Sequence, residues 1–366
     1  MAKRTGKKIN ILKLIFKILS VITALIIILI PLAIFSVMFL NTTVRTPAQV
    51  FPAEGDAIQI ADDGSILIDV RRGETSQSVG LRLERAGLIG SRYVWNLFCR
   101  VKNEHVKTGT YRLELPATIL SIHSLLVSGK EILHKVTIPE GVTLSKTAVI
   151  IGETGICTAE EFLAAARNRE LLNYYSIPNE TFEGFLFPDT YFFPGSYPAE
   201  RIVRAMADNF FTQLENIYPD SSRMSMEEIN NRVILASVVE REYRVAEEAP
   251  VMAGVFNNRL RINMALQSCA TVVYVITEIQ KKPHPSIVLL TDLEIRNPYN
   301  TYIYPGLPPG PISSPGFVAL NAAMNPQTTQ YLYFRLVDPS SGRHYFSRTH
   351  DEHIRAGSNQ FIPKGL

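Results

Sequence analysis

The spacing of apolar positions changes several times along this chain, and each change marks an expected element. Residues 18–40, ILSVITALIIILIPLAIFSVMFL, carry no charge and would be apolar on every side of a helix. A run of that length suffices for a bilayer span, which needs about 20 apolar residues, and it exceeds the apolar core of about 7–15 residues in a cleaved signal peptide. Residues 41–64 are rich in Thr, Pro, Ala and Asp without a sustained period and read as a linker. The alternation ILIDV at 66–70 predicts a strand. The segments GETSQSVGLRLERAGLI and RYVWNLFCRVK predict a turn and two helices, and a strand at 109–113 closes a β-α-α-β unit. The later segment VTIPEGVTLSKTAVIIGETGI repeats part of this unit, matching Gly73 with Gly141, Thr75 with Thr143 and Gly87 with Gly155.

Beyond residue 158 the pattern predicts a helix over 159–173, then the aromatic segment TFEGFLFPDTYFFPGSYP. Rings in such a segment either frame a carbohydrate site or pack in a core. Residues 231–263 predict two helices joined by a short acidic turn, and NPYNTYIYPGLPPGPISSPG a long loop of functional composition. The chain closes with a hairpin around DPSSG and a short helix. The expected fold class is α+β: a basic segment at 1–17, a transmembrane helix at 18–40, a linker at 41–64, a β-α-α-β region at 65–157 and a mixed α+β domain at 158–366.

Within 231–263, a rotation of roughly 100° per residue places Ile234, Leu235, Val238 and Val239 on one helix side, with Glu242 in the same stripe beside Val245. Glu240 is expected on the opposite side with Arg244. A carboxylate on a core-facing side loses hydration, which raises its pKa toward the range of a general acid. Glu242 is therefore the candidate acid. The same burial also suits a structural ion pair with Arg259 or Arg261.

Composition narrows the partners. The net charge is +3 and 19% of residues are charged, so no global basic field points to nucleic acid. Lys3, Arg4, Lys7, Lys8, Lys13 and Lys17 precede the apolar run, and a basic flank stays in the cytoplasm, which places the remainder outside. Cys99, Cys157 and Cys269 are isolated and suggest neither a disulfide framework nor a zinc ribbon. His344, His350 and His353 lie within ten residues, yet they lack the helical spacing of a zinc pair, so no metal is expected. No P-loop, G-x-G-x-x-G or G-x-S-x-G occurs, and no cofactor is expected. Gln267, Asn300 and Tyr302 are candidate substrate contacts, because amides and phenols suit sugar hydroxyls and acetamides, although each equally suits loop stabilisation.

The phrase RRGETSQSVGLRLERAGLI and its β-α-α-β order resemble the LysM-like module, a small fold associated with glycans containing N-acetylglucosamine. EGVTLSKTA, FEGFLFPDTY, LASVVEREY, VFNNRLRINMALQS, NPYNTYIYPGLPPGPISSPG and LYFRLVDPSSGRHYFS, in that order, resemble the endolytic murein transglycosylases of the YceG-like family. The resemblance implies water-free cleavage of nascent peptidoglycan after N-acetylmuramic acid, leaving 1,6-anhydro ends and terminating strand growth. It also implies a membrane-anchored protein whose partners are glycan strands and cell-wall synthases. The family's catalytic glutamate is the second of its V-E-x-E motif, which falls on Glu242. One departure stands out: the family usually has Asp-Pro after Gln-Thr or Gln-Ser, whereas Cys269 and Ala270 follow Gln267 and Ser268 here. A non-catalytic glycan-binding or scaffold protein is the competing reading. The charge asymmetry around 18–40 makes a topology prediction: a reporter active only outside the cytoplasm, fused to the C-terminal end, is active, and a signal solely from a cytoplasm-active reporter contradicts it.

Overall fold

The computed structural model describes residues 11–40, 43–51, 58–61, 63–71, 73–195 and 197–357, without the side chains of 11–14 and 32–43. Helix α1, Ile11–Leu40, is 30 residues long and contains Pro31. Among the described residues no helix is long and apolar enough to cross a membrane. Nine of the 23 residues of the expected span, 32–40, have side chains outside the described set, and residues 1–10 of the basic segment lie outside the described residues altogether.

The chain divides into two compact units, Met1–Ile132 and Leu133–Leu366. In the first, β1 (Thr43–Val44), β2 (Ile58–Ile60), β3 (Ile66–Val70), α2 (Ser76–Arg85), α3 (Arg92–Lys102), β4 (Gly109–Leu113), β5 (Ala117–Thr118) and α4 (Ile119–Ser128) follow in order. β2, β3 and β4 form an antiparallel sheet, with Ile58 opposite Ile68 and Ile68 opposite Tyr111. The expected β-α-α-β unit is therefore present. The expected linker at 41–64 is corrected, since it contributes β1 and β2. Three residues, Ile58-Gln59-Ile60, are too short for a period to be read, and only pairing with β3 makes them a strand. Trp95 is fully buried, and its indole N–H donates to the Ser76 carbonyl at 2.8 Å. Gly80 admits that ring, since a Cβ there would lie 2.4 Å from it.

The second unit begins with β6 (Leu133–Thr137), α5 (Leu144–Glu153), α6 (Ala159–Ala165), α7 (Arg169–Tyr174) and β7 (Thr190–Pro194). β6 and β7 pair antiparallel from Leu133↔Pro194 to Thr137↔Thr190. This is again a β-α-α-β closure, with one helix added. The repeat noted in the sequence has a local structural basis. Gly73, Gly141, Gly87 and Gly155 all have φ between 72° and 79°. Thr75 and Thr143 cap helices of ten residues each, accepting from the Ser78 and Lys146 N–H groups. Because β6 pairs with a strand more than 50 residues away, the division falls at Leu133, and the expected boundary at 157/158 lies inside the second unit, between α5 and α6. The expected helix over 159–173 breaks where the Asn168 side chain accepts from the Glu170 and Leu171 N–H groups and starts α7.

α8 (Ala199–Ile217), α9 (Met226–Glu240), α10 (Ala249–Arg261), α11 (Cys269–Tyr274), α12 (Phe317–Met324), β8 (Tyr333–Asp338), β9 (Arg343–Ser347) and α13 (His350–Gly357) complete the unit. α9 packs against α10 and α12. Every residue from Val233 to Val239 on it is buried, so its apolar surface is not the single stripe expected from the sequence. Much of the aromatic segment is core: Phe182, Phe185, Phe187 and Phe193 are buried and Phe185 lies 5.2 Å from Phe210, while Phe192 is exposed and Tyr191 and Tyr197 are partly buried. Gly184, between the first two rings, has φ +81°, and a Cβ there would meet Pro311 at 2.4 Å and Val233 at 3.1 Å. Gly184→Ala is expected to destabilise this unit by about 2–5 kcal/mol, combining left-handed backbone strain with overpacking. An unchanged thermal midpoint would disprove the close approach.

Candidate active site

α9 ends at Glu240, and the next residues turn tightly: the Glu242 and Tyr243 N–H groups both donate to the Val239 carbonyl, at 3.0 and 3.1 Å. Glu242 thus occupies a turn beyond the helix rather than a helical stripe. Its carboxylate accepts from the Ser268 hydroxyl at 2.5 Å, and the nearby Ala270 N–H weakly favours its charge. Ser268 is the N-cap of α11, so the carboxyl faces the first turn of that helix, where unpaired N–H groups favour negative charge. Burial raises the Glu242 pKa, and the Ser268 hydrogen bond, the charges of Arg241 and Arg259 and the Ala270 N–H pull it back down. Desolvation favours the protonated acid while these four groups stabilise the carboxylate left after proton transfer.

The two arginines that could have made Glu242 a structural ion pair are committed elsewhere. Arg259 is buried and donates to the Leu332 carbonyl at 2.6 Å, the Leu266 carbonyl at 2.7 Å and the Ala265 carbonyl at 3.4 Å. Its charge reaches Glu242 through space. Arg261 is exposed and donates to Asn258 Oδ1 at 3.5 Å.

The three candidate substrate contacts part company. Tyr302 is half-buried, its hydroxyl 3.0 Å from Cys269 Sγ, and burial, Cys269 and the charge of Glu242 raise its pKa. Gln267 is exposed at φ +50°, and its N–H donates to the Thr301 carbonyl at 3.0 Å. Asn300 is fully buried: its Nδ2 donates to the Leu293 and Ile295 carbonyls, each at 2.9 Å, and its Oδ1 accepts from the Tyr302 N–H. That side chain shapes the loop and has no amide group left for a sugar, which removes it from the contact set. Glu242, Ser268, Cys269 and Tyr302 therefore lie together as the candidate site, and Gln267 beside them is exposed. The three histidines also separate. His344 binds Glu248 at 2.8 Å, while His350 and His353 stack beside Tyr333.

The sequence pattern puts Glu240 on the side away from Glu242 with Arg244, and the structure shows that this side too is enclosed at Glu240. The Glu240 carboxylate accepts from the Gly316 N–H at 2.9 Å, and its pKa is pushed up to about 7 by burial, with the nearby Glu140 adding to the rise. Arg241 donates to the Gly141 carbonyl at 2.8 Å, and Gly141 and Val142 exchange backbone bonds with Ser314. The helical wheel does not extend past Arg241, so no periodic signal could reveal these partners. Glu183, missed in the sequence, is raised to about 8 by burial, yet both its oxygens accept from the Leu144 N–H at 2.9 and 3.1 Å. It holds the start of α5 and is closed to solvent.

Residues 68–359 match the family model of the YceG-like family. The endolytic murein transglycosylase of Streptococcus pneumoniae serotype 2 (strain D39) is 28% identical over 317 residues, covering 79% of this chain and 57% of that protein. The chain thus spans little more than half the length of the pneumococcal relative. The endolytic murein transglycosylase of Bacillus subtilis (strain 168) is also 28% identical, over 309 residues, covering 80% of this chain and 84% of that protein. The 2.6 Å crystal structure of a yceG-like protein from Listeria monocytogenes superposes with a TM-score of 0.53 at 29% identity, covering 80% of this chain and 98% of that one.

The raised pKa of Glu240 has a consequence for stability. The folded state holds its proton more tightly than the unfolded chain, so this contribution is complete below about pH 4.5 and is lost as the pH rises to about 7. Glu240→Gln keeps an oxygen for the Gly316 N–H and removes the titration. Thermal unfolding followed across that range is expected to show a decline that is steeper for the unsubstituted protein than for the variant, by on the order of 1–3 kcal/mol, the remainder coming from Glu183 and Glu242. Parallel curves would mean that Glu240 is ionised at no cost.

Proposed function

The chain belongs to the YceG-like family, and from that premise we propose that it is a membrane-anchored endolytic lytic transglycosylase acting on peptidoglycan. It cleaves nascent glycan strands after N-acetylmuramic acid, leaves 1,6-anhydro ends and so terminates strand elongation beside the cell-wall synthases. The observation that carries this reading is the half-buried Glu242 carboxyl, raised in pKa and held by Ser268 at the start of α11. The names of the relatives agree with it.

One carboxyl suffices for this chemistry. Protonated Glu242 gives its proton to the glycosidic oxygen as the bond from that oxygen to C1 breaks. The resulting carboxylate then takes the proton of the muramic C6 hydroxyl as that oxygen bonds to C1. The proton count returns to its starting value and no water is consumed, whereas hydrolysis ordinarily uses a second carboxylate. Arg241 and Arg259 favour the transient carboxylate through their charges.

The anchor reading rests on α1, where the side chains of Ile15, Phe16, Ile18, Leu19, Val21, Ile22 and Leu25–Ile30 are all substantially exposed. An apolar surface on every side of a helix suits lipid better than water, and the basic flank before it directs the N-terminus to the cytoplasm and the catalytic unit outward. The β-α-α-β unit of residues 66–113 resembles the LysM-like module and serves here as a glycan-binding element. A non-catalytic glycan binder remains the second reading, favoured by Cys269, whose thiol meets the Tyr302 hydroxyl where the family usually has an acid.

Product analysis of digested peptidoglycan separates the two. The unsubstituted protein is expected to generate anhydro-muramic ends and Glu242→Gln to lose them by a factor on the order of 10²–10⁴, with folding retained. Retention on the polymer without anhydro products would support the binding reading, and near-normal products from Glu242→Gln would remove Glu242 from the chemistry.

A further inference from the structure

Ser268 is 2% exposed, too deep to be a surface contact. Its backbone is fixed by a set of buried hydroxyls. The Ser268 N–H donates to Thr301 Oγ1 at 3.1 Å, the Thr271 hydroxyl donates to the Ser268 carbonyl at 2.8 Å, and the two threonine oxygens lie 2.9 Å apart. Thr301 is 1% and Thr271 0% exposed. The neighbouring Gln267 N–H is tied to the Thr301 carbonyl. With its main chain held on both sides, Ser268 has one polar group left, its hydroxyl, and that group is aimed at Glu242 Oε1.

Resting on the transglycosylase reading of the same site, we propose that Ser268 is the positioning residue of the acid: its hydroxyl, held in place by the Thr271–Thr301 pair, fixes which way the Glu242 carboxyl presents its oxygens. A turn beyond the end of a helix lacks the ladder of bonds that immobilises helical side chains, so Glu242 depends on groups from another element for its orientation. Ser268 donates to one oxygen, and the Ala270 N–H nearby favours the charged form only weakly. Donation to the carboxylate also opposes the rise in proton affinity caused by burial. The other charged or titratable groups facing Glu242 are Arg241 from its own turn, Arg259 from α10, and Tyr302, whose hydroxyl in turn meets the Cys269 thiol. None of them supplies a hydroxyl donor to that oxygen in place of Ser268.

The test uses the full-length chain and purified peptidoglycan, following anhydro-muramic ends against pH. Ser268→Ala removes the donor. It is expected to lower turnover about tenfold or more and to move the alkaline limb of the profile up by about one pH unit, because the ionised carboxyl has lost a charge-assisted hydrogen bond. The sign follows from the role: an acid with a higher pKa stays protonated to higher pH. Ser268→Thr restores a hydroxyl and is expected to recover both rate and limb. Thr301→Val, which leaves the serine in place but loosens its mount, is expected to lower turnover without touching Glu242. An Ser268→Ala profile that keeps its limb, or a loss of rate that Ser268→Thr does not rescue, overturns the assignment. If the unsubstituted protein forms no anhydro ends at all, the transglycosylase reading itself fails, which is a separate result.

Discussion

The second unit is organised by the need to satisfy a charged turn at the end of a helix enclosed by protein. α9 is buried from Val233 to Val239 and delivers Glu240, Arg241 and Glu242 into a partly desolvated interior. Removing such groups from water without partners would cost several kcal/mol each. Each has a partner from a different part of the chain: Glu240 takes the Gly316 N–H, Arg241 the Gly141 carbonyl, and Glu242 the Ser268 hydroxyl. The turn before α5, the loop before α12 and the start of α11 are therefore held to one place by one short sequence.

This arrangement gives two glutamates of the same turn different tasks. Both carboxyls are desolvated and both have raised proton affinity. Glu240 is met by a backbone N–H and a second carboxyl, Glu140, a setting that favours protonation and ties loops together. Glu242 is met by a hydroxyl, a backbone N–H and two arginine charges, a setting in which proton loss and regain are both accessible. Glu183 shows that a large shift alone does not mark an acid, since its oxygens are used by the first turn of α5.

The second β-α-α-β closure bears on how the site is assembled. Its Thr143 cap and Gly141 turn repeat the construction around Thr75 and Gly73 in the first unit, and this second copy belongs to the unit that carries Glu242. The same local design thus occurs once within the first unit and once beside the turn that follows α9, where Gly141 accepts from Arg241.

Local signals in the sequence determined much of this protein. Alternation at 66–70, threonine caps, the glycine pairs of the repeat, the apolar run at 18–40 and the candidacy of Glu242 all follow from interactions among residues near in the chain. Only the tertiary structure decided the rest. The pairing of β6 with β7 moved the division of units to Leu133, and β2 exists because β3 lies beside it. The helix stopped before Glu242, so the residue that periodicity selected is held by a turn and by Ser268, 26 positions away. Asn300 was withdrawn into its loop and Glu240 drawn into the interior for the same reason. Hydrogen-bond partners of buried polar groups are chosen by proximity in space, and a periodic pattern reports which face of an element is buried but not which atoms await it there.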